Sequence, residues 1–192
     1  MTTLSNQQVV LAARPDGDLK PSDLRLEDVA VPIPGEREVL LETIYLSIDP
    51  YMRWWMRAEK SYNEPIEIDQ VIVGATVSRV RESHHPDWPV GAWVLAFSGW
   101  KRFAISDGSD LRQLDPDLAP PSTALGVLGM TGFTAYAGLR NIGKPNPGET
   151  VVVAAASYRE QITHGLHTAP HALIDQLKGR NFGKTIVQLG EP

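Results

Sequence analysis

The feature that most constrains this chain is a series of short apolar segments cut at close intervals by glycine and proline. Residues 7–13, 24–31, 39–48, 71–81, 93–97 and 101–105 are rich in Val, Ile, Leu and aromatics, and turn strings such as Pro15-Asp16-Gly17, Pro32-Ile33-Pro34-Gly35 and Pro89-Val90-Gly91 stand between them. Branched and aromatic side chains fit a pleated surface, while Gly and Pro supply the backbone angles of tight turns. The regular spacing predicts a small β-barrel or sandwich over the first two-thirds of the chain.

The character changes at Pro120-Pro121. Residues 122–142 read as a helix, with Leu125, Leu128, Phe133, Tyr136 and Leu139 on helical spacing and Gly143 placed to stop it. A turn over 144–150 leads to the unbroken apolar run 151–156, which reads as a strand buried on both faces, as in a parallel sheet. Such a strand needs a crossover and parallel neighbours, and the sequence around it supplies neither. Beyond Ser157, a helix is predicted from about 169 to 178, with Thr168 as its N-cap and Gly179 as its stop, and a last strand over 184–189.

Composition excludes several classes of partner. The chain of 192 residues carries 18 Lys+Arg against 23 Asp+Glu, a net of −5, with no basic run, so neither nucleic acid nor an anionic membrane is an expected partner. The absence of cysteine removes disulfides, thiolate nucleophiles and cysteine-held zinc, and fits a reducing compartment. The N-terminus has neither a basic nor an apolar leader region, and the longest apolar run is too short to span a bilayer, so a cytoplasmic protein is expected.

At Leu46-Ser47-Ile48-Asp49-Pro50-Tyr51-Met52-Arg53 the residues become specific. This string resembles the S-x-D-P-Y-M-R signature of the prostaglandin reductase and curcumin reductase group of zinc-free medium-chain dehydrogenases/reductases. In the same order, 97–104 (FSGWKRFA), 125–136 (LGVLGMTGFTAY) and 179–184 (GRNFGK) resemble further elements of that group. The resemblance covers nearly the whole chain. It implies a mainly β fold: a GroES-like β-barrel catalytic domain with flanking helices, plus a remnant, helix and first strand, of an α/β Rossmann domain. The expected organisation is a substrate domain over 1–121, the Rossmann remnant over 122–157, and a return segment over 158–192 that completes the barrel. The implied cofactor is NADP (NADPH), and the implied reaction is reduction of the C=C bond of an α,β-unsaturated carbonyl. A homodimer formed through the cofactor domain's sheet is implied as well, on a surface this chain does not carry.

The departure is equally informative. In the family, the strand resembled by 151–157 runs into a glycine turn and a helix whose N-terminus holds the cofactor phosphates. Here Ser157 is followed by Tyr158-Arg159-Glu160, which resembles the point where the family's chain returns to the barrel. Sequence on the order of 100–150 residues, one ordinary domain, is absent between these positions. The chain as given is therefore expected not to transfer hydride by itself.

The candidate site residues each carry two readings. Tyr51 is either an aromatic packed under the turn that Asp49 caps, or, as the resemblance implies, a catalytic and substrate-facing hydroxyl. Phe97, Ser98 and Trp100 either close the barrel end or form an apolar wall for substrate. Met130, Thr131 and Thr134 lie where Gly126, Gly129 and Gly132 permit close backbone approach. They either pack as plain helix or, by resemblance, face the nicotinamide end of the cofactor. Asn181 either shapes a turn or bonds the cofactor. Arg53 is expected at a surface or interdomain contact. His164, His167 and His171 show ligand-like spacing, but Pro170 starts a helix between them and nothing completes a zinc set, so no metal site is expected. His84 and His85 read as exposed. The expected function is an NADPH-dependent alkenal or enone reductase acting on a small apolar unsaturated carbonyl. The alternatives are a quinone reductase of the same superfamily, or a non-catalytic binding module or remnant.

Overall fold

Apolar spacing decides the first pairing. Strand β1 (Ser5–Leu11) buries Val9, Val10 and Leu11 and runs antiparallel to β2 (Leu24–Ala30), in register from Ser5 opposite Ala30 to Leu11 opposite Leu24. The computed structural model describes residues 5–59, 64–152 and 158–192, and within them the chain is mainly β. No helix among these residues is long and apolar enough to cross a membrane.

The second sheet is organised by β3 (Val39–Ser47), the longest and most completely buried strand. On one edge it pairs with β4 (Thr76–Ser83), followed by β5 (Trp93–Ala96) and β7 (Arg112–Leu114). Two strands share the other edge: β6 (Phe103–Ser106) lies along Val39–Glu42, and β9 (Lys184–Gln188) lies along Tyr45–Ser47. Outside β9 lies β8 (Glu160–His164), parallel to it and joined to it through helix α3 (Ala169–Leu177). The C-terminal segment thus enters the same core as the N-terminal strands. Leu166, Ala169 and Leu173 pack in one cluster with Leu11, Leu46, Met52 and Trp100.

Several expectations are corrected. The fourth strand begins at Thr76 rather than 71, because Val71 and Ile72 are held instead against β1, with Val71 bridged to Val10 and the Ile72 N–H donating to the Val9 carbonyl at 3.0 Å. Strands β7 and β8, which read RQL and EQITH, carry too little apolar pattern to announce themselves. The helix expected over 122–142 is broken. A 3-10 turn (Pro121–Leu125) is followed by a glycine corner, then α2 (Met130–Ala137) and a π-helical turn (Gly138–Gly143). The glycines are the cause: a Cβ on Gly129 would stand 2.1 Å from the Ala124 carbonyl oxygen, and one on Gly132 1.8 Å from that of Val127. Spacing that looked like helix packing is a chain folded tightly on itself. Thr168 does not cap α3; its hydroxyl donates to the Gly165 carbonyl at 2.8 Å, while Gly179 at φ +67° ends that helix as expected. The buried strand expected over 151–156 falls mainly on residues 153–157, outside the described residues, as does Ser157 at the junction. Val151 and Val152 are exposed. His85 is half-buried rather than exposed.

The corner after β5 depends on Gly99, which has φ +79° and brings its Cα so close to Ile72 that an added Cβ would lie 2.7 Å from the Ile72 carbonyl oxygen. Gly99→Ala is expected to destabilise the fold by about 1–3 kcal/mol, the cost of holding a non-glycine residue in that strained region. Urea unfolding midpoints of the two proteins measure it.

Candidate active site

A cleft of about 460 Å³ opens where the ends of several elements converge, and its lining is predominantly apolar. β3 delivers Ser47 to its floor and the chain continues through Asp49, Pro50 and Tyr51 into the short helix α1 (Met52–Trp55). Ala75, Leu95, Ala96 and Phe97 come from β4 and β5 and their ends, Ala124 and Leu125 from the 3-10 turn, Met130 and Thr131 from the first turn of α2, and Lys184 from the start of β9. The size suits a small organic ligand, since such pockets are concave, mostly apolar and carry a few placed polar groups.

One wall is aromatic. The Tyr51 ring sits 4.7 Å from that of Trp55 at 52°, and Trp55 meets Phe97 edge-on at 6.2 Å. Trp55 is buried and Phe97 is half-open, so the row runs from the core out to the cleft mouth. Such tilted pairs are favoured over face-to-face stacking because ring edges and faces carry opposite partial charge.

The floor is polar. Lys184 and Asp49 form an ion pair at 2.5 Å, with side chains only 8% and 17% exposed, and the Ser47 hydroxyl donates to the other oxygen of Asp49. Register explains the meeting. Ser47 stands opposite Ile186 in the antiparallel β3–β9 pair, and continuing that register two residues past the end of β3 sets Asp49 opposite Lys184, the first residue of β9. The Asp49 carboxylate is therefore spent on Lys184 and Ser47 and does not cap α1, whose N-terminal residue makes no side-chain cap.

Among the residues predicted from sequence, the cleft brings together Tyr51, Phe97, Met130 and Thr131. It does not include Ser98, Trp100, Thr134 or Asn181. Trp100 is completely buried in the core behind the cleft. The Thr134 hydroxyl donates to the Met130 carbonyl within its own helix, and the Asn181 amide donates to the Gly183 carbonyl, shaping the turn before β9. Arg53 makes an internal contact, donating to the Gly17 carbonyl at 2.6 Å. Sequence reasoning passed over Ser47, Asp49 and Lys184. All three stand in the signature strings, Ser47 and Asp49 within 46–53 and Lys184 at the end of 179–184, and that placement was the signal that could have found them. No cluster of His, Cys, Asp or Glu suited to a metal is present among the described residues, and His164, His167 and His171 fall on three different elements.

Among the described residues no Rossmann-type turn for a dinucleotide's pyrophosphate is present. A pyrophosphate needs a glycine turn between a parallel strand and a helix start. The parallel pair here, β8–β9, is crossed by α3, whose start carries Pro170 and is preceded by Thr168 with its hydroxyl turned back on Gly165 and Thr163. What the cleft can do is hold an apolar molecule against Tyr51 and Phe97 with a polar end toward Lys184 and Asp49.

Comparison with known proteins supplies the family. Residues 7–114 match the model of the N-terminal domain of oxidoreductase. The NADPH-dependent curcumin reductase of Escherichia coli K12 is 56% identical over 152 residues, 79% of this chain and 44% of that protein. Prostaglandin reductase 1 of Oryctolagus cuniculus is 45% identical over 139 residues, 71% of this chain and 38% of that protein. This chain thus spans less than half the length of these curated relatives. By contrast, the crystal structure of CurA from Vibrio vulnificus in complex with NADPH superposes with a TM-score of 0.87 at 27% identity, over 97% of this chain and 100% of that one. With the cleft, the signature strings and these relatives in hand, the chain belongs to the curcumin reductase and prostaglandin reductase group of medium-chain dehydrogenases/reductases.

Proposed function

We propose that this chain is the substrate-binding part of an NADPH-dependent reductase that saturates the C=C bond of small apolar α,β-unsaturated carbonyl compounds. One observation carries the reading: Tyr51, Phe97, Met130 and Thr131, from three distant segments, meet in one apolar cleft with a polar floor. A hydrophobic enone matches that division, with its carbon skeleton on the aromatic wall and its oxygen at the polar end. NADPH, when bound, supplies the hydride. The chain's own part is to exclude water, orient the enone and place the Tyr51 hydroxyl near the reacting carbons.

The same reading divides the chain into a substrate domain over 1–121, a Rossmann remnant over 122–157 and a return segment over 158–192. It is supported by α2, which buries none of its residues and leaves Phe133 70% exposed, as expected of a helix made to be covered. Turnover is expected only when a cofactor domain is supplied, and the assay has two arms. The 192-residue chain and a chimera, with the cofactor domain of the E. coli relative placed between Ser157 and Tyr158, are each mixed with NADPH and a panel of alkenals, curcumin-like enones and quinones. Loss of NADPH absorbance with enones, in the chimera alone, supports the reading. A correctly folded chimera silent on the whole panel overturns it, and turnover of quinones only favours the quinone reductase. In the active chimera, Tyr51→Phe is expected to lower kcat by about 10²-fold with KM little changed, the effect of removing a positioned proton donor.

A second reading rests on the CurA chain. That NADPH complex is spanned end to end by this chain, which favours a polypeptide of this extent holding the cofactor by itself. Calorimetric titration of the 192-residue chain with NADPH separates the two: saturable binding supports self-sufficiency, and its absence supports the need for a further domain.

A further inference from the structure

Lys184 is an anomaly in its setting. It is a cation, 8% exposed, on the lining of a predominantly apolar cleft, and Asp49 is its one acceptor among the described residues. An ammonium carries three donors, so two remain without a described protein partner. A buried N–H without an acceptor is costly, and the open side of this ammonium is the cleft. Asp49 is itself fixed from behind by the Ser47 hydroxyl, which holds the carboxylate, and through it the ammonium, in one place. The pair is neutral as a whole. Asp110 and Arg112, also on the lining, add one charge of each sign, so the cleft carries no net cationic excess and favours a neutral hydrogen-bond acceptor over a second carboxylate, which would lie close to Asp49.

We propose that Lys184, positioned by Asp49 and Ser47 on the cleft floor, is the substrate-binding residue that donates to the carbonyl oxygen of the ligand. This deepens the enone reductase reading and rests on it for the ligand class. Lys184 touches the substrate, whereas Asp49 and Ser47 act through it. A donor held in a water-poor site costs no reorganisation when negative charge grows on the carbonyl oxygen, so the same contact serves binding and charge stabilisation.

The test uses the 192-residue chain without NADPH, so that a failed turnover assay and a failed carbonyl contact are distinguishable. Two unreactive ligands of matched shape, 4-phenylbutan-2-one and butylbenzene, are titrated and followed by backbone and lysine side-chain NMR shifts. The second ligand replaces the carbonyl by a methylene. Because Lys184→Met alone would strand Asp49, the variant is the pair Lys184→Met with Asp49→Asn. The expected result is that the affinity ratio of ketone to hydrocarbon falls by about tenfold in the paired variant, the size of one hydrogen bond to a charged donor, while butylbenzene binds as before. An unchanged ratio, or equal loss of both ligands, overturns the proposal and leaves the pair a structural tie between β3 and β9. Should the variant fail to fold, the wild-type spectra decide: the ketone must shift the Lys184 ammonium signals and butylbenzene must not. Tighter binding of 4-phenylbutanoate than of the ketone overturns the choice of a neutral carbonyl.

Discussion

Trp100→Ala is expected to destabilise the protein by about 3–5 kcal/mol, the range for emptying a buried tryptophan site. The ring is wholly buried, in one cluster with Leu46, Met52, Ile72 and Leu173, and its backbone ties two segments together. Its N–H donates to the Ile72 carbonyl at 2.7 Å, and its carbonyl accepts from Val9 at 2.8 Å. The cavity would lie where N-terminal strands and C-terminal helix meet, so neither side can relax alone. In a chain of this length the melting temperature should fall on the order of 10 °C, measured by circular dichroism. Trp100→Phe is the control. The indole N–H has no hydrogen-bond partner among the described residues, so the smaller ring gives up volume but also removes a buried donor left unpaired there, and should retain most of the stability. A Trp100→Ala protein with unchanged melting but weakened ligand binding would instead place the ring on the cleft wall, the other reading its sequence allowed.

Asn6→Ala is expected to cost about 2–4 kcal/mol, because it strands a backbone donor and a backbone acceptor together. Asn6 is 3% exposed. Its Oδ1 accepts from the Phe103 N–H at 2.9 Å and its Nδ2 donates to the Phe103 carbonyl at 3.0 Å, so one side-chain amide ties β1 to β6. Asn6→Asp sharpens the test. The carboxylate keeps the bond from the Phe103 N–H but opposes the Phe103 carbonyl, whereas the protonated acid can donate to it. The folded state therefore favours the protonated form, and the sign follows: stability relative to Asn6→Ala should be greatest at low pH and should fall as pH rises through the carboxyl's titration. Denaturant midpoints of both variants across mildly acid to neutral pH check this.

Much of the fold was legible because strand formation here is governed by local composition. Branched and aromatic runs bounded by Gly and Pro mark β1, β2, β3, β5 and β9 to within a few residues, since a strand's alternation and its turn residues are adjacent in sequence. The elements that escaped are those whose pattern is weak or ambiguous. β7 and β8 are short and polar, and α2 was overextended because Leu125, Leu128, Phe133, Tyr136 and Leu139 keep helical spacing across glycines that force a corner.

The candidate site divides in the same way. Tyr51, Phe97, Met130 and Thr131 stand in strings specific enough to be singled out one by one, and the cleft gathers all four. Trp100 stands in the same string as Phe97, yet packs in the core. Side chains flanking a glycine corner leave in directions set by its φ, and the sequence does not disclose that angle.

The sequence by itself determined the strand-rich character, the family and the turn chemistry, because these depend on residues within a few positions of one another. Only the tertiary structure decided that Asp49 meets Lys184, 135 positions away, and that the pair lies on the cleft floor with Ser47 behind it. The physical reason is register. Once β9 lies antiparallel along Tyr45–Ser47, each side chain's face and opposite neighbour follow, but the choice of that edge and that offset is made by burial of the whole core around β3.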